Sequence, residues 1–233
     1  MNRASGVFPT SGLSRSVEDY LKAIYQLSSA GQPASTSQIA ELLDVAPPSV
    51  SGMIKRLSEQ GLLDHARYRG VGLTPAGRRA ALRMVRRHRI LEAYLVDRLG
   101  YSWDTVHEEA ETLEHAVSDR LIERMAQALG NPLFDPHGDP IPDAQGNIEE
   151  LIYTPLSEIP TGETVEIHRV TTSQAARLKY LGTTGLTPGT TITVLERQPF
   201  DGPVTIQSPA GEQVVGYELG RLILCTRGDP LPE

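Results

Sequence analysis

The chain has a single cysteine, Cys225, among its 233 residues. One thiol forms no internal disulfide and builds no thiolate metal cluster. Any metal site must therefore draw on imidazole, carboxylate and carbonyl groups. The sequence also lacks an uninterrupted apolar run of bilayer-spanning length, and the polar stretch Met1 to Ser16 has no apolar core of secretory type. Membrane insertion and export are not expected, and the cytoplasm is the expected compartment. No internal repeat, nucleophile elbow or phosphate loop is present. What remains is 39% hydrophobic content over a length that suits about two globular domains.

The net charge of -7 is unevenly distributed. Between Val45 and Ile90 stand Lys55, Arg56, Arg67, Arg69, Arg78, Arg79, Arg83, Arg86, Arg87 and Arg89 against only Glu59 and Asp64. From Tyr101 to Gly130 the balance reverses, with Asp104, Glu108, Glu109, Glu111, Glu114, Asp119 and Glu123 against Arg120 and Arg124. A polyanion-binding region followed by a cation-binding one accounts for this asymmetry.

Apolar residues at Val17, Tyr20, Leu21, Ile24 and Leu27 predict a first helix, with Ser16 and Asp19 spaced as a capping box. A short helix over Thr36 to Leu43, a turn at Asp44 to Ala46, and Pro47-Pro48 in the first turn of a third helix follow. Gly61 ends that helix, a hairpin spans Leu62 to Leu73 around Arg67 to Gly70, and Thr74-Pro75 opens a long helix to about Leu99. Helix, turn, helix, hairpin is the order of a winged helix-turn-helix. Pro48 to Gln60 is then the recognition helix, with Pro48, Ser49, Ser51, Gly52, Lys55 and Arg56 as DNA-contact candidates and Arg67 and Arg69 on the wing. Some winged helices serve protein contacts instead; the basic excess favours DNA.

A second long helix is expected over Val106 to Leu129, with a stripe of Val106, Leu113, Val117, Leu121, Met125 and Leu129 for core packing and a subunit interface. Its helical spacing places His107, Glu111, Glu114 and His115 on one side, while His88 and Glu92 lie one turn apart on the preceding helix. That face reads either as a set of metal ligands or as a solvated acidic surface. Glu108 and Glu109 fit the solvated reading, and Thr105 with Glu108 reads as a capping box. The Pro/Gly/Asp-rich stretch Asn131 to Gly162 reads as a linker, and His137 as a loop residue. Beyond it, β-branched segments at Thr164–Val170, Thr190–Leu195, Val204–Gln207, Gln213–Leu219 and Leu222–Cys225 suggest a small barrel. The expected fold is mainly α with a small β domain. Residues 1–74 form a winged helix-turn-helix DNA-binding domain, 75–142 a helical metal-binding and dimerisation domain, 143–162 a linker, and 163–233 a Src-homology-3-like small β-barrel.

Four stretches taken together carry a resemblance: Val17-Glu18-Asp19-Tyr20-Leu21, Leu73-Thr74-Pro75-Ala76-Gly77-Arg78, Arg87-His88-Arg89-Ile90-Leu91-Glu92, and Val106 to Glu111 through Glu114-His115. Asp135 to Pro142 adds a proline-rich exit from the helices. In this order they resemble the diphtheria toxin repressor family of metal-dependent transcriptional regulators over nearly the whole sequence. The resemblance implies a homodimer that binds double-stranded operator DNA with a divalent metal as corepressor. It implies a primary site of Asp19, Glu111, Glu114 and His115 and an ancillary site of His88, Glu92 and His107. Gln174 in the barrel matches a further ancillary ligand, whereas Thr171 stands where a glutamate is often found. Iron-responsive members carry methionine and cysteine where this chain has Asp19 and Glu111, so the oxygen donors here point to Mn²⁺, with Fe²⁺ as the alternative. Lys22 stands where some manganese-responsive relatives have a further glutamate, so their closely coupled two-metal arrangement does not carry over unchanged. The function so implied is a manganese-dependent repressor of metal-uptake genes, not an enzyme. The rival classes are a winged-helix regulator sensing an organic ligand and a metallohydrolase whose carboxylate and histidine cluster activates water.

Overall fold

The computed structural model describes residues 13–28, 33–66, 70–148 and 151–227. Two compact units divide the chain, one of Met1–Arg87 with Pro142–Asn147 and the other of His88–Ile141 with Ile148–Glu233.

The first unit opens with α1 (Arg15–Ser28), which buries Val17, Tyr20, Leu21 and Ile24 at the spacing of one helical face. Ser16 lies inside this helix and not at its cap. A capping box does form at α2 (Thr36–Leu42), where Ser35 Oγ accepts the Gln38 N–H and Gln38 Oε1 accepts the Ser35 N–H. After a turn at Asp44 (φ 50°), α3 (Pro47–Glu59) starts with both prolines in its first turn, where their missing N–H groups leave no hydrogen bond unmade. It buries Val50, Ile54 and Leu57 against α1 and α2 residues and leaves Pro48, Ser49, Ser51, Gly52, Lys55 and Arg56 exposed. The hairpin of β1 (Leu63–Ala66) and β2 (Gly70–Leu73) pairs Leu63 with Leu73, and β2 also bridges to Ala34. Arg67 and Arg69, the wing candidates, lie outside the described residues.

Thr74 joins the hairpin to α4 (Pro75–Leu99): its hydroxyl accepts the Gly77 N–H and donates to the Gly61 carbonyl, and its N–H donates to Leu62 O. The same Leu62 carbonyl is so close to Gly77 that a β-carbon there would overlap it. This explains a glycine three residues into a helix, where it otherwise costs about 1 kcal/mol relative to alanine.

In the second unit, the single helix expected from Val106 to Leu129 is two: α5 (Val106–Leu113) and α6 (Asp119–Ala128). The chain turns on from Leu113, whose carbonyl still accepts the Ala116 and Val117 N–H groups, and Ser118 takes up extended geometry (φ -80°, ψ 151°) to cap α6, its side chain accepting the Leu121 N–H. Apolar periodicity survives such a break, which is why the pattern concealed it. Thr105 makes no capping hydrogen bond to α5; its hydroxyl is within 3.2 Å of Ser102 Oγ. Ile90 and Leu91 of α4 pack with Ala110, Ile122, Ala126 and Ile141.

The rest of this unit is a six-stranded antiparallel sheet in the order β3-β8-β4-β5-β6-β7: β3 (Thr154–Pro155), β4 (Thr164–Val170), β5 (Thr191–Arg197), β6 (Val204–Ser208), β7 (Gly211–Val215) and β8 (Ile223–Arg227). Two elements were not expected from the sequence. Helix α7 (Ala175–Thr184) buries Leu178 and Leu181 in the sheet's core, and α8 (Tyr217–Gly220) forms where a strand was expected to run on. Part of the stretch expected as a linker belongs to this body as well, since β3 pairs with β8 and Leu156 and Ile159 are fully buried.

Two outcomes follow from the packing. Gly77→Ala should destabilise the protein by about 2 kcal/mol or more, while Gly52→Ala on α3, where a β-carbon meets nothing, should stabilise it by about 0.5–1 kcal/mol; urea unfolding of both variants reads the contrast. Burial pushes the Cys225 thiol up to about 12, so the folded state favours the neutral thiol. Its contribution to stability is complete below the unfolded-state value and is lost as pH climbs towards 12. A maleimide at pH 8 should leave the native protein unlabelled and react fully in denaturant, as mass spectrometry would show.

Candidate metal centre

One turn of α4 places His88 and Glu92 on the same face, both buried. The first turn of α5 brings in His107, half-buried. His88 Nε2 lies 2.9 Å from Glu92 Oε1 and 3.1 Å from His107 Nδ1, and His107 Nδ1 lies 3.0 Å from Glu92 Oε1. Three donor atoms thus form a nearly equilateral triangle. A small divalent ion with ligands at about 2.1 Å in octahedral array spaces neighbouring ligands by about 3.0 Å, so this triangle matches one face of such a shell. With one of the two ring nitrogens protonated, the three atoms share a single N–H as a hydrogen-bonded set. With that proton displaced, the same three atoms could hold a metal ion.

The other ring nitrogen of His88 points the opposite way. Nδ1 is 2.6 Å from Glu114 Oε2 and 3.7 Å from Glu111 Oε1. When Nδ1–H donates to Glu114, the lone pair is left on Nε2, the tautomer that a metal ligand requires. Glu114 is fully buried at the end of α5, with His115 Nε2 3.5 Å from its Oε1, and Glu111 Oε1 also lies 3.8 Å from His107 Nε2. His88 therefore touches members of both expected ligand sets. Asp19, the remaining primary candidate, is half-buried on α1 of the first unit, where its neighbour Glu18 lies 3.9 Å from Arg87. Gln174 is exposed immediately before α7, and its side chain makes no hydrogen bond among the described residues.

Burial works to raise the Glu92 carboxyl, but His88, His107 and His137 outweigh it and hold the group well below the usual carboxylate range. The centre accordingly offers a charged carboxylate at neutral pH. Sequence reasoning missed His137. This residue is buried, and its Nδ1 stands 3.6 Å from Glu92 Oε2 while its Nε2–H donates to the Trp103 carbonyl at 2.7 Å. Burial opposes its charge, yet Glu92, Asp135 and the Trp103 carbonyl together push it up to about 9. Burial and the nearby Asp139 and Glu92 carboxylates push Asp135 up to about 8, with Arg89 and His137 acting in the opposite direction. A signal for this loop was present in Asp135-Pro136-His137-Gly138-Asp139, because an aspartate commonly binds backbone N–H groups just downstream. Asp135 Oδ1 does so, accepting from His137 and Asp139.

The donor set is nitrogen and oxygen throughout, drawn from buried and half-buried imidazole and carboxylate groups whose ligand atoms lie within 4.8 Å of one another in sets of three. A helix-turn-helix with a hairpin wing and an exposed polar and basic helix face, joined to such a centre, defines a metal-responsive DNA-binding regulator.

The comparisons with known proteins agree. Family models for the iron dependent repressor match twice, as its N-terminal DNA binding domain over residues 12–71 and its metal binding and dimerisation domain over residues 74–143, and a FeoA domain matches residues 154–227. The iron-dependent repressor IdeR of Mycobacterium tuberculosis is 34% identical over 209 residues, covering 84% of this chain and 90% of the relative. A solved manganese-dependent transcriptional repressor in complex with manganese superposes with a TM-score of 0.82 at 40% identity, over 91% of this chain and 99% of the other. The manganese regulator SloR superposes at 0.74 with 35% identity, over 91% and 98%. This chain belongs to the iron-dependent repressor family, also known through the diphtheria toxin repressor, whose members are metal-dependent DNA-binding repressors.

His107→Ala removes one corner of the triangle while leaving the buried pair on α4. Titration followed by the electron paramagnetic resonance signal of free Mn²⁺ should show affinity reduced at least 10–100-fold, the loss expected even for outer partners of a metal ligand. Wild-type affinity would place the ion elsewhere.

Proposed function

We propose that this protein is a manganese-activated, homodimeric repressor of metal-uptake genes that acts in the cytoplasm. The observation that carries the reading is the sulfur-free donor set, in which His88, Glu92 and His107 converge within 3.1 Å and His88 also reaches Glu111 and Glu114. Hard oxygen donors with imidazole suit Mn²⁺, and without a thiolate or thioether among the ligands the softer metals lose their advantage. Fe²⁺ is the second reading, favoured by the mycobacterial relative named as an iron-dependent repressor.

The ancillary set is His88, Glu92 and His107, with Gln174 as a further donor from the sheet domain. The primary set is Asp19, Glu111, Glu114 and His115, so two ions bind each subunit. When bound, the ion neutralises clustered carboxylates and gives Asp19 of the first unit a common partner with the α5 residues. Asp19 is then the group through which occupancy reaches the DNA-binding unit, shifting the population of binding-competent dimers. Operator contact falls to the exposed face of α3, where Lys55 and Arg56 supply charge and Ser49, Ser51 and Gly52 approach the base edges, with Arg67 and Arg69 following the backbone from the wing. Exposed leucines of the second unit, Leu99, Leu121 and Leu133, supply apolar surface for the second copy. Among the described residues no helix is long and apolar enough to cross a membrane, as this assignment requires.

The test is binding to DNA from the protein's own genomic neighbourhood across Mn²⁺, Fe²⁺, Co²⁺ and Zn²⁺. Wild-type protein should gain 5–150-fold in affinity with Mn²⁺, within the usual range of coupling between two sites. Asp19→Ala should bind Mn²⁺ at the ancillary set, remain dimeric, and gain less than about twofold. Full activation of this variant would remove Asp19 from the mechanism, and activation by no divalent ion would favour an organic effector.

A further inference from the structure

Glu92 offers one oxygen to the donor triangle, and His137 faces the other. The imidazole that does so is fixed from several sides. Its Nε2–H is committed to the Trp103 carbonyl, its ring stacks on the Trp103 indole with centroids 5.6 Å apart, and the His137 backbone N–H donates to Asp135 Oδ1 at 2.8 Å. Asp135 and Asp139 close the loop through the Asp135 N–H to Asp139 carbonyl bond at 3.0 Å. On the helical side, Arg89 of α4 donates to the Pro140 carbonyl and to Asp139 Oδ1.

On the other side the same loop is joined to the sheet. Val170 N–H of β4 donates to the His137 carbonyl at 2.8 Å, and Arg169 pairs with the Asp139 carboxylate that Arg89 also binds. Gly138 (φ 84°) lies so tightly against the His168 carbonyl of β4 that any side chain would overlap it. Trp103 packs against the sheet core and closes over Gly182 of α7. One short loop therefore touches a ligand carboxylate at one end and the docking edge of the sheet domain at the other.

We propose that His137 is a positioning residue for the His88, Glu92 and His107 centre, and that the Asp135–Asp139 loop thermodynamically couples ion binding there to the docking of the sheet domain. This rests on reading those three residues as a divalent-ion centre. The role is distinct from ligand donation by Gln174 of the sheet domain, since it runs through the contact of His137 with Glu92 at 3.6 Å; Thr171 offers only a hydroxyl, which donates to the Leu222 carbonyl. With Glu92 Oε2 engaged by His137, rotation of the carboxylate away from the triangle is opposed, so less order has to be imposed when an ion binds. Coupling is reciprocal, and loosening the sheet domain at a residue that touches no ligand must weaken the ion.

The experiment uses full-length His137→Gln and Arg169→Ala, with His88→Ala as the control for the centre itself. Mn²⁺ affinity is read by the resonance signal of the free ion, and hydrogen exchange at the Val170 amide is read with and without Mn²⁺. His137→Gln should lose 10–100-fold in affinity and Arg169→Ala about fivefold or more, and Mn²⁺ should slow Val170 exchange in the wild type but much less in His137→Gln. A purely structural role for the loop would alter exchange equally with and without Mn²⁺. If His137→Gln fails to fold, Arg169→Ala and the wild-type exchange decide alone. Wild-type affinity in Arg169→Ala together with Val170 exchange indifferent to Mn²⁺ would overturn the coupling while His88→Ala still loses the ion of its own centre. Wild-type binding by His88→Ala would instead overturn the centre on which the coupling rests.

Discussion

Burying carboxylates against one histidine is the constraint on which the second unit is organised. Glu92 and Glu114 are 2% and 0% exposed, and His88 stands between them with one ring nitrogen directed at each. Isolated buried carboxylates cost far more than a small domain can sustain, so each needs a cationic or hydrogen-bonding partner. His88 serves both, His107 and His137 supplement it on the Glu92 side, and Arg89 ties down the aspartates behind. The helices that present them are held by an ordinary apolar core of Ile90, Leu91, Ala110 and Ile122.

The first unit is built on different terms. Its apolar core joins residues of α1, α2, α3 and the hairpin, Lys22 and Arg87 are its buried charged residues among those described, and the exposed side of α3 carries polar and basic residues. Thr74 and Gly77 fix how α4 leaves the hairpin through backbone contacts at Gly61 and Leu62. Stability of this unit rests on apolar packing.

Much of this was legible in the residues. The winged-helix order followed from turn and cap chemistry at Asp44, Pro47 and Gly61, and the pairing of His88 with Glu92 from helical spacing. What escaped were features set by tertiary contact. The break at Ser118 preserves apolar periodicity, so the pattern ran through it, and α7 buries only Leu178 and Leu181 as apolar anchors, too few to mark a helix by periodicity. His137 was read as a loop residue because composition in a Pro/Gly-rich stretch reports chain irregularity and is silent on burial. Its role depends on Trp103 and Glu92, which lie 34 and 45 positions earlier in the chain and meet it only in the folded unit.

The central claim is that metal and DNA binding are one linked equilibrium, and the most direct test is the Mn²⁺ affinity of the wild-type protein measured with and without saturating operator DNA. Linkage requires that DNA tighten Mn²⁺ binding by the same factor by which Mn²⁺ tightens DNA binding, on the order of 5–150-fold. Equal factors in the two directions are the predicted result. A Mn²⁺ affinity unchanged by DNA would contradict the account.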